Sequence, residues 1–152
     1  MQDISQYEAV WGKLARFDLV KIDRLAIPTA AKEFLCNVGL PNEAHVPPGV
    51  KFTASADDVV TDERGGLVVG LLDDHPSVCV DPSGVVVIEG RFVNSNLECF
   101  VGSLYALELS YGKDDGITWL RRELPEIDKR VFEDEANYWP TALQDAELLD
   151  FK

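Results

Sequence analysis

The one place in this 152-residue chain where carboxylates adjoin a histidine is Asp73-Asp74-His75. Two acids beside an imidazole are the ingredients of metal-assisted or general-base hydrolysis. The spacing argues against that chemistry. A metal needs convergent ligands, and consecutive residues of a strand or loop point apart. Pro76 follows at once, and Asp, His and Pro between two apolar runs make an ordinary hairpin connection. His45 stands alone in a Pro-rich stretch, and no GxSxG surrounds a serine. Cys36, Cys79 and Cys99 are an odd number in apolar runs without a CxxC pair, which reads as buried free thiols in a reducing compartment. Gly65-Gly66 lacks the lysine and spacing of a phosphate cradle. The residues therefore point to a protein that binds without catalysing and needs no metal or cofactor. A small hydrolase using Asp73, Asp74 and His75 is the weaker alternative.

The elements that would position these residues can be read from capping and periodicity. Tyr7, Val10, Trp11 and Leu14 recur at helical spacing and predict a helix from about Ser5 to Ala15, with a short strand over Phe17 to Ile22. Pro28 suits an opening helical turn, and the helix through Phe34 and Leu35 should stop at Gly39, which can take the left-handed conformation after a C-cap. Asn42 to Gly49 reads as loop. Val50 to Thr53, Leu67 to Leu72, Val78 to Asp81 and Val85 to Ile88 read as strands of an antiparallel meander, the last two joined by a turn at Asp81-Pro82-Ser83-Gly84. Because these runs are apolar at successive positions, both faces of this part of the sheet should be covered by helices.

Beyond the strands, Ser95 and Glu98 have capping-box spacing, with Asn94 an alternative cap one residue earlier. Leu97, Phe100, Val101, Leu104, Leu107 and Leu109 then fall largely on one stripe that should lie flat on the sheet. Tyr111 to Gly116 reads as loop, and the chain resumes at Ile117 to Leu124 before Pro125 and a mixed-charge segment. Thr141 and Gln144 repeat the capping-box spacing ahead of Leu143, Leu148 and Leu149. Trp11, Trp119 and Trp139 are read as core anchors, since large aromatics dominate burial.

Composition bounds the class. A chain of this length suits a single domain over 1–152 with a core that needs no staples. The first ten residues are polar and acidic, where a signal peptide would be basic and then apolar, and no window is long and apolar enough to span a bilayer. A cytoplasmic protein is expected. Charge is the other bound: 27 acids against 14 bases give a net charge of -13. Residues 1–33 balance five acids with five bases, 34–112 hold eleven against three, and 113–152 eleven against six. Such a field repels nucleic acid and anionic membrane and draws in basic partners. The acid pairs Asp73-Asp74 and Asp114-Asp115 lie in predicted loops and are the residues assigned to partner contact.

Three features in order carry a resemblance: the helix ending in Gly39-Leu40-Pro41, the strand Val78-Cys79-Val80-Asp81 with its turn Pro82-Ser83-Gly84, and Phe92-Val93-Asn94-Ser95-Asn96-Leu97-Glu98 before the long helix. With Tyr138-Trp139 before a final helix, they resemble the SUKH superfamily of immunity proteins, particularly its fourth subgroup. The resemblance spans roughly residues 25 to 149. It implies an α+β fold, a central mostly antiparallel sheet flanked by α-helices. It implies too a non-enzymatic bacterial antitoxin of a polymorphic toxin system, which neutralises a cognate toxin by stoichiometric binding and carries no catalytic residues. With the acidic surface, the expected partner is a basic toxin domain, a nuclease or nucleic-acid deaminase, bound by a protein that is monomeric when free. A general protein-interaction scaffold on the same fold is the rival reading. Specificity is expected in the loops at 42–49, 54–66 and 111–116.

Overall fold

The computed structural model describes residues 3–47, 49–57, 59–73 and 76–148. Its elements in chain order are α1 (Ile4–Trp11), α2 (Leu19–Ile22), α3 (Thr29–Asn37), β1 (Glu43–Val46), β2 (Val50–Ala54), β3 (Val60–Thr61), β4 (Leu67–Leu72), β5 (Ser77–Val80), β6 (Val86–Ile88), β7 (Arg91–Asn94), α4 (Leu97–Ser110), α5 (Gly116–Ile127), a 3-10 turn (Lys129–Phe132) and α6 (Tyr138–Leu148). This is an α+β domain with an antiparallel sheet in the order β1-β2-β4-β5-β6-β7. The short β3 pairs the stretch of β4 next to the one taken by β2.

Local chemistry explains where the elements begin and end. Asp3 caps α1 through a complete capping box with Gln6, and Gly12 at φ 74° ends the helix three residues before the expected Ala15. Phe17 to Ile22, expected as a strand, contains a helical turn instead, because the Asp18 carboxylate accepts the Val20 N–H at 3.0 Å and starts α2. Pro28 is the N-cap residue of α3, one place earlier than a first-turn proline. Gly39 has φ 89°, and its N–H reaches the Phe34 carbonyl at 2.9 Å, closing the helix as expected. A side chain there would also meet the Ala15 carbonyl, because Leu40 and Ala15 form a β-bridge.

The stretch expected to be loop at 42–49 contains β1, whose Ala44 and Val46 point inward while Glu43 and His45 face solvent. Two apolar residues flanked by charge and proline were too short an alternation to read as a strand. The four strands read from the sequence are present, in an antiparallel meander. Their coverage differs from expectation. A bulge between Val68 and Gly70 places Val69 as an extra residue opposite the Val78–Cys79 step, so that Leu67, Val69 and Leu72 all face the same core. The shifted phase accounts for part of the unbroken apolar run, and the second face accounts for the rest: Val68 and Cys79 are buried there at 7% each, whereas Leu71 at 48% and Val60 at 51% are exposed. Gly70 faces inward onto Phe52, whose ring occupies the space a Cβ would need. The Phe52 ring in turn meets Phe100 of α4 edge-on at 5.7 Å.

The Phe92-to-Glu98 signature ends a strand and begins α4, but its polar residues act otherwise than the capping box expected of Ser95 and Glu98. Asn96 is the cap, accepting from the Cys99 N–H at 2.8 Å. Ser95 is taken by Asp128, a 5%-exposed residue in the turn after α5: its N–H and hydroxyl donate to the two carboxylate oxygens at 2.7 and 2.8 Å. Asn94, fully buried, donates from its amide to Ser103 Oγ and Asp128 Oδ2, both at 3.1 Å, and accepts from Trp139 Nε1 at 3.0 Å. One polar knot therefore fastens β7, α4, the turn after α5 and α6. Every polar atom of the Asn94 side chain has a partner, the condition under which a buried polar group helps to specify a unique structure.

The remaining expectations divide. Trp139 is fully buried, whereas Trp11 and Trp119 are only half-buried at the margin of the core. Helix α5 continues through Pro125 to Ile127. Helix α6 begins at Tyr138, before the expected Thr141 cap, and the Thr141 hydroxyl donates to the Glu135 carbonyl at 3.1 Å.

Candidate partner-binding surface

Antiparallel pairing decides which loops share an end of the molecule. The β1–β2 connection through Pro47 and Gly49, the β4–β5 connection starting at Asp73 and the β6–β7 turn at Glu89-Gly90 lie at one end of the sheet. The α4–α5 connection joins them: Tyr111, Lys113, Asp114 and Asp115 surround a groove of about 730 Å³ that also touches Pro47 and Gly49. Its floor is apolar, with Leu107 and Ile117 from the helix pair and Leu143 from α6. Tyr138 fixes the rim by donating its hydroxyl to the Pro47 carbonyl at 3.0 Å.

The structure thus brings Asp73, Asp114 and Asp115 to one end of the fold, on either side of the β1–β2 connection. Asp74 and His75 lie outside the described residues. The three carboxylates differ in their freedom. Asp73 is tied to its neighbour strand: its Oδ2 accepts the Lys51 N–H at 3.2 Å while its own N–H donates to the Lys51 carbonyl at 3.1 Å. Asp115 is the N-cap of α5, accepting from the Thr118 hydroxyl at 2.8 Å and the Thr118 N–H at 3.2 Å. These two bonds hold its carboxyl below the ordinary aspartate value, so it is ionised and structurally engaged although fully exposed. Asp114 is exposed at the mouth of the groove.

Two more acids stand at this end that the sequence did not single out. Glu89 occupies the first turn position of the β6–β7 hairpin at φ 52°, a conformation favoured by Asn or Gly, with Gly90 following at 76°. With Asp145 of α6 and Arg91 it borders a smaller groove of about 240 Å³ against Pro47. Neither residue lies in an acidic pair, so only the pairing of strands and the docking of α6 reveal them.

At the opposite end, Asp62 and Asp81 are used internally. Asp62 accepts the N–H groups of Arg64 and Gly66, and Asp81 those of Ser83 and Val85, each organising a tight turn. Nothing among the described residues assembles three metal-ligating side chains. The thiols are poor nucleophiles: burial, reinforced by Asp62 at Cys79 and by Asp128 at Cys99, pushes both up to about 11.

An antiparallel sheet backed by helices defines a small α+β domain. The chain belongs to the SUKH-4 immunity protein family, whose model matches residues 3–145. No curated protein and no solved structure matches it. Membership points to a toxin-neutralising immunity role, in a family that is generally non-enzymatic, and no described helix is long and apolar enough to cross a membrane.

Proposed function

We propose that this protein is the cytoplasmic antidote of a bacterial polymorphic toxin system, binding its cognate toxin one to one and performing no chemistry. The partner is a basic toxin domain, a nuclease or nucleic-acid deaminase whose active-site rim must attract nucleic acid. Asp73, Asp74, Asp114 and Asp115 steer and dock it, and the apolar groove beside Asp114 contributes the desolvated centre that slows release.

The observation that carries this reading is the scarcity of internal neutralisation. The chain holds 27 acids, yet among the described residues the Lys and Arg ion pairs are Lys51 with Glu43 at 3.7 Å, Arg130 with Glu133 at 3.9 Å, and Arg121 with Glu147. Unpaired like charges repel one another, and a cationic surface relieves that repulsion as it docks.

The test is co-expression with the C-terminal domain of the adjacent gene product. Cell survival with a co-purifying one-to-one complex is expected, and cell death overturns the proposal. Association should also slow steeply between about 50 and 500 mM salt, a range over which the screening length shrinks several-fold. A rate indifferent to salt removes the steering component.

A further inference from the structure

On the side of α4 facing α1 and α5 lies a second groove, of about 420 Å³, to which nothing above assigns a role. Its geometry follows from spacing. Glu98, Gly102, Tyr105 and Leu109 recur every three or four residues along α4, and Trp119, Glu123 and Glu126 do so along α5, with Ile127 next to Glu126. Gly102 lets the helices approach, since a Cβ there would stand 3.3 Å from Ile127. Around that contact the two stripes, with Tyr7 of α1 and Ala106, line the trough. Leu109 is 42% exposed, and Tyr105 and Trp119 are only half-buried. The charged groups lining the trough are all carboxylates: Glu98, Glu123 and Glu126.

We infer that this trough is a docking site for a basic amphipathic helix of a protein partner. Its charge selects the cation. The chain itself supplies an instance, because Lys113 places its ammonium 5.0 Å from the centre of the Trp119 ring, the geometry in which an aromatic face attracts a cation. The walls select the helix. Both are α-helices whose backbone groups are satisfied internally, so no strand edge is offered, and the occupant must satisfy its own backbone. From Glu98 to Leu109 the trough is about 17 Å long at 1.5 Å per residue, which accommodates about three helical turns. Apolar anchors at i, i+4 and i+7 would cover Tyr105, Leu109 and Trp119, and flanking Lys or Arg would face the three glutamates.

The inference rests on the antitoxin reading only if the helix belongs to the toxin, so the experiment separates the two. The probe is a lactam-bridged three-turn peptide with leucine anchors and lysine flanks, compared by fluorescence anisotropy with a twin carrying glutamate flanks. It is titrated into the wild type, into the triple variant Glu98→Gln/Glu123→Gln/Glu126→Gln, and into Glu33→Gln/Glu63→Gln, two exposed acids outside every groove described above, as a control, after thermal melts establish that all are folded. The lysine peptide should bind at least about tenfold more tightly than its twin, a difference of about 1.4 kcal/mol. It should lose about that factor in the triple variant and nothing in the control. Equal affinity of the twins, no binding at millimolar concentration, or indifference to the triple variant overturns the site. In the co-expression assay, protection by wild type and triple variant alike discards the trough as the toxin site and leaves the antidote role standing. Peptide binding without protection by the wild type discards the antidote role and leaves the trough.

Discussion

Replacing Asp128 with alanine should be far more damaging than its place in a turn suggests, because four donors converge on its carboxylate: Ser95 N and Oγ, Asn94 Nδ2 and Arg130 N. The bonds from Arg130 N and the Ser95 hydroxyl are part-buried and the weakest to lose, since a rotatable hydroxyl and an N–H of the 3-10 turn can turn to water. Ser95 N and Asn94 Nδ2 lose a charged acceptor inside the protein, at about 1–3 kcal/mol apiece, which centres the total near 4 kcal/mol. A domain of this size loses about 2–4 °C of Tm per kcal/mol, so the melt should fall by roughly 8–16 °C. Urea or thermal denaturation followed by circular dichroism measures it, and Asn94→Ala alone and combined with Asp128→Ala closes a double-mutant cycle on the buried Asn94 Nδ2 bond. Strongly sub-additive effects are expected, since the second change removes a partner already gone. A loss below about 1 kcal/mol, on the low side of what a buried unsatisfied donor costs, or full additivity of the pair, refutes the claim that Phe92-to-Glu98 is a structural knot. So does loss of partner binding in a variant of undiminished stability.

Other outcomes follow from single positions. Gly70→Ala should cost about 1–3 kcal/mol in chemical denaturation, because the new methyl falls on the Phe52 ring, and Phe52→Leu in the same chain should return part of it. Cys79 and Cys99 should resist a thiol reagent at pH 8 in the folded state and react on addition of urea, with thiols raised to about 11 chiefly by burial. Their folded values exceed the unfolded one, so the stability they contribute is complete below about pH 8.5 and fades as pH climbs towards 11. Asp115→Ala should weaken amide protection in the first turn of α5. Because the Thr118 bonds lower the folded value of Asp115, the stability it lends is present above the ordinary aspartate range and vanishes on acidification, and pH-dependent melts of the two proteins should converge there.

How much of this was visible in the residues depends on whether the cause is local. Gly39 ended its helix as expected, because a left-handed C-terminal stop is set by the few residues around it, and Leu67 to Leu72 kept its bounds as a strand. The direction of its side chains did not follow, since a bulge depends on the partner strand. Ser95 and Glu98 had the spacing of a cap, yet Asp128, 33 residues away, outbid that local pairing. Asp73, Asp114 and Asp115 could be picked out as acids in loops, but that two of them are engaged by Lys51 and Thr118 is a tertiary fact. Glu89, Asp145 and the α4–α5 trough were illegible because their neighbours are assembled from distant segments.

The polar knot has a bearing on protein engineering. Its anchoring groups, Asn94, Ser103, Asp128 and Trp139, are all buried, whereas Asp114 and the three glutamates of the trough stand apart from it. On the proposed assignment of these surfaces, recognition can be rewritten by grafting a foreign 111–114 turn or repainting the outer stripes of α4 and α5, with the fastening beneath left untouched. A library varied at those positions should yield folded members with new targets far more often than one that also samples Asn94 or Asp128.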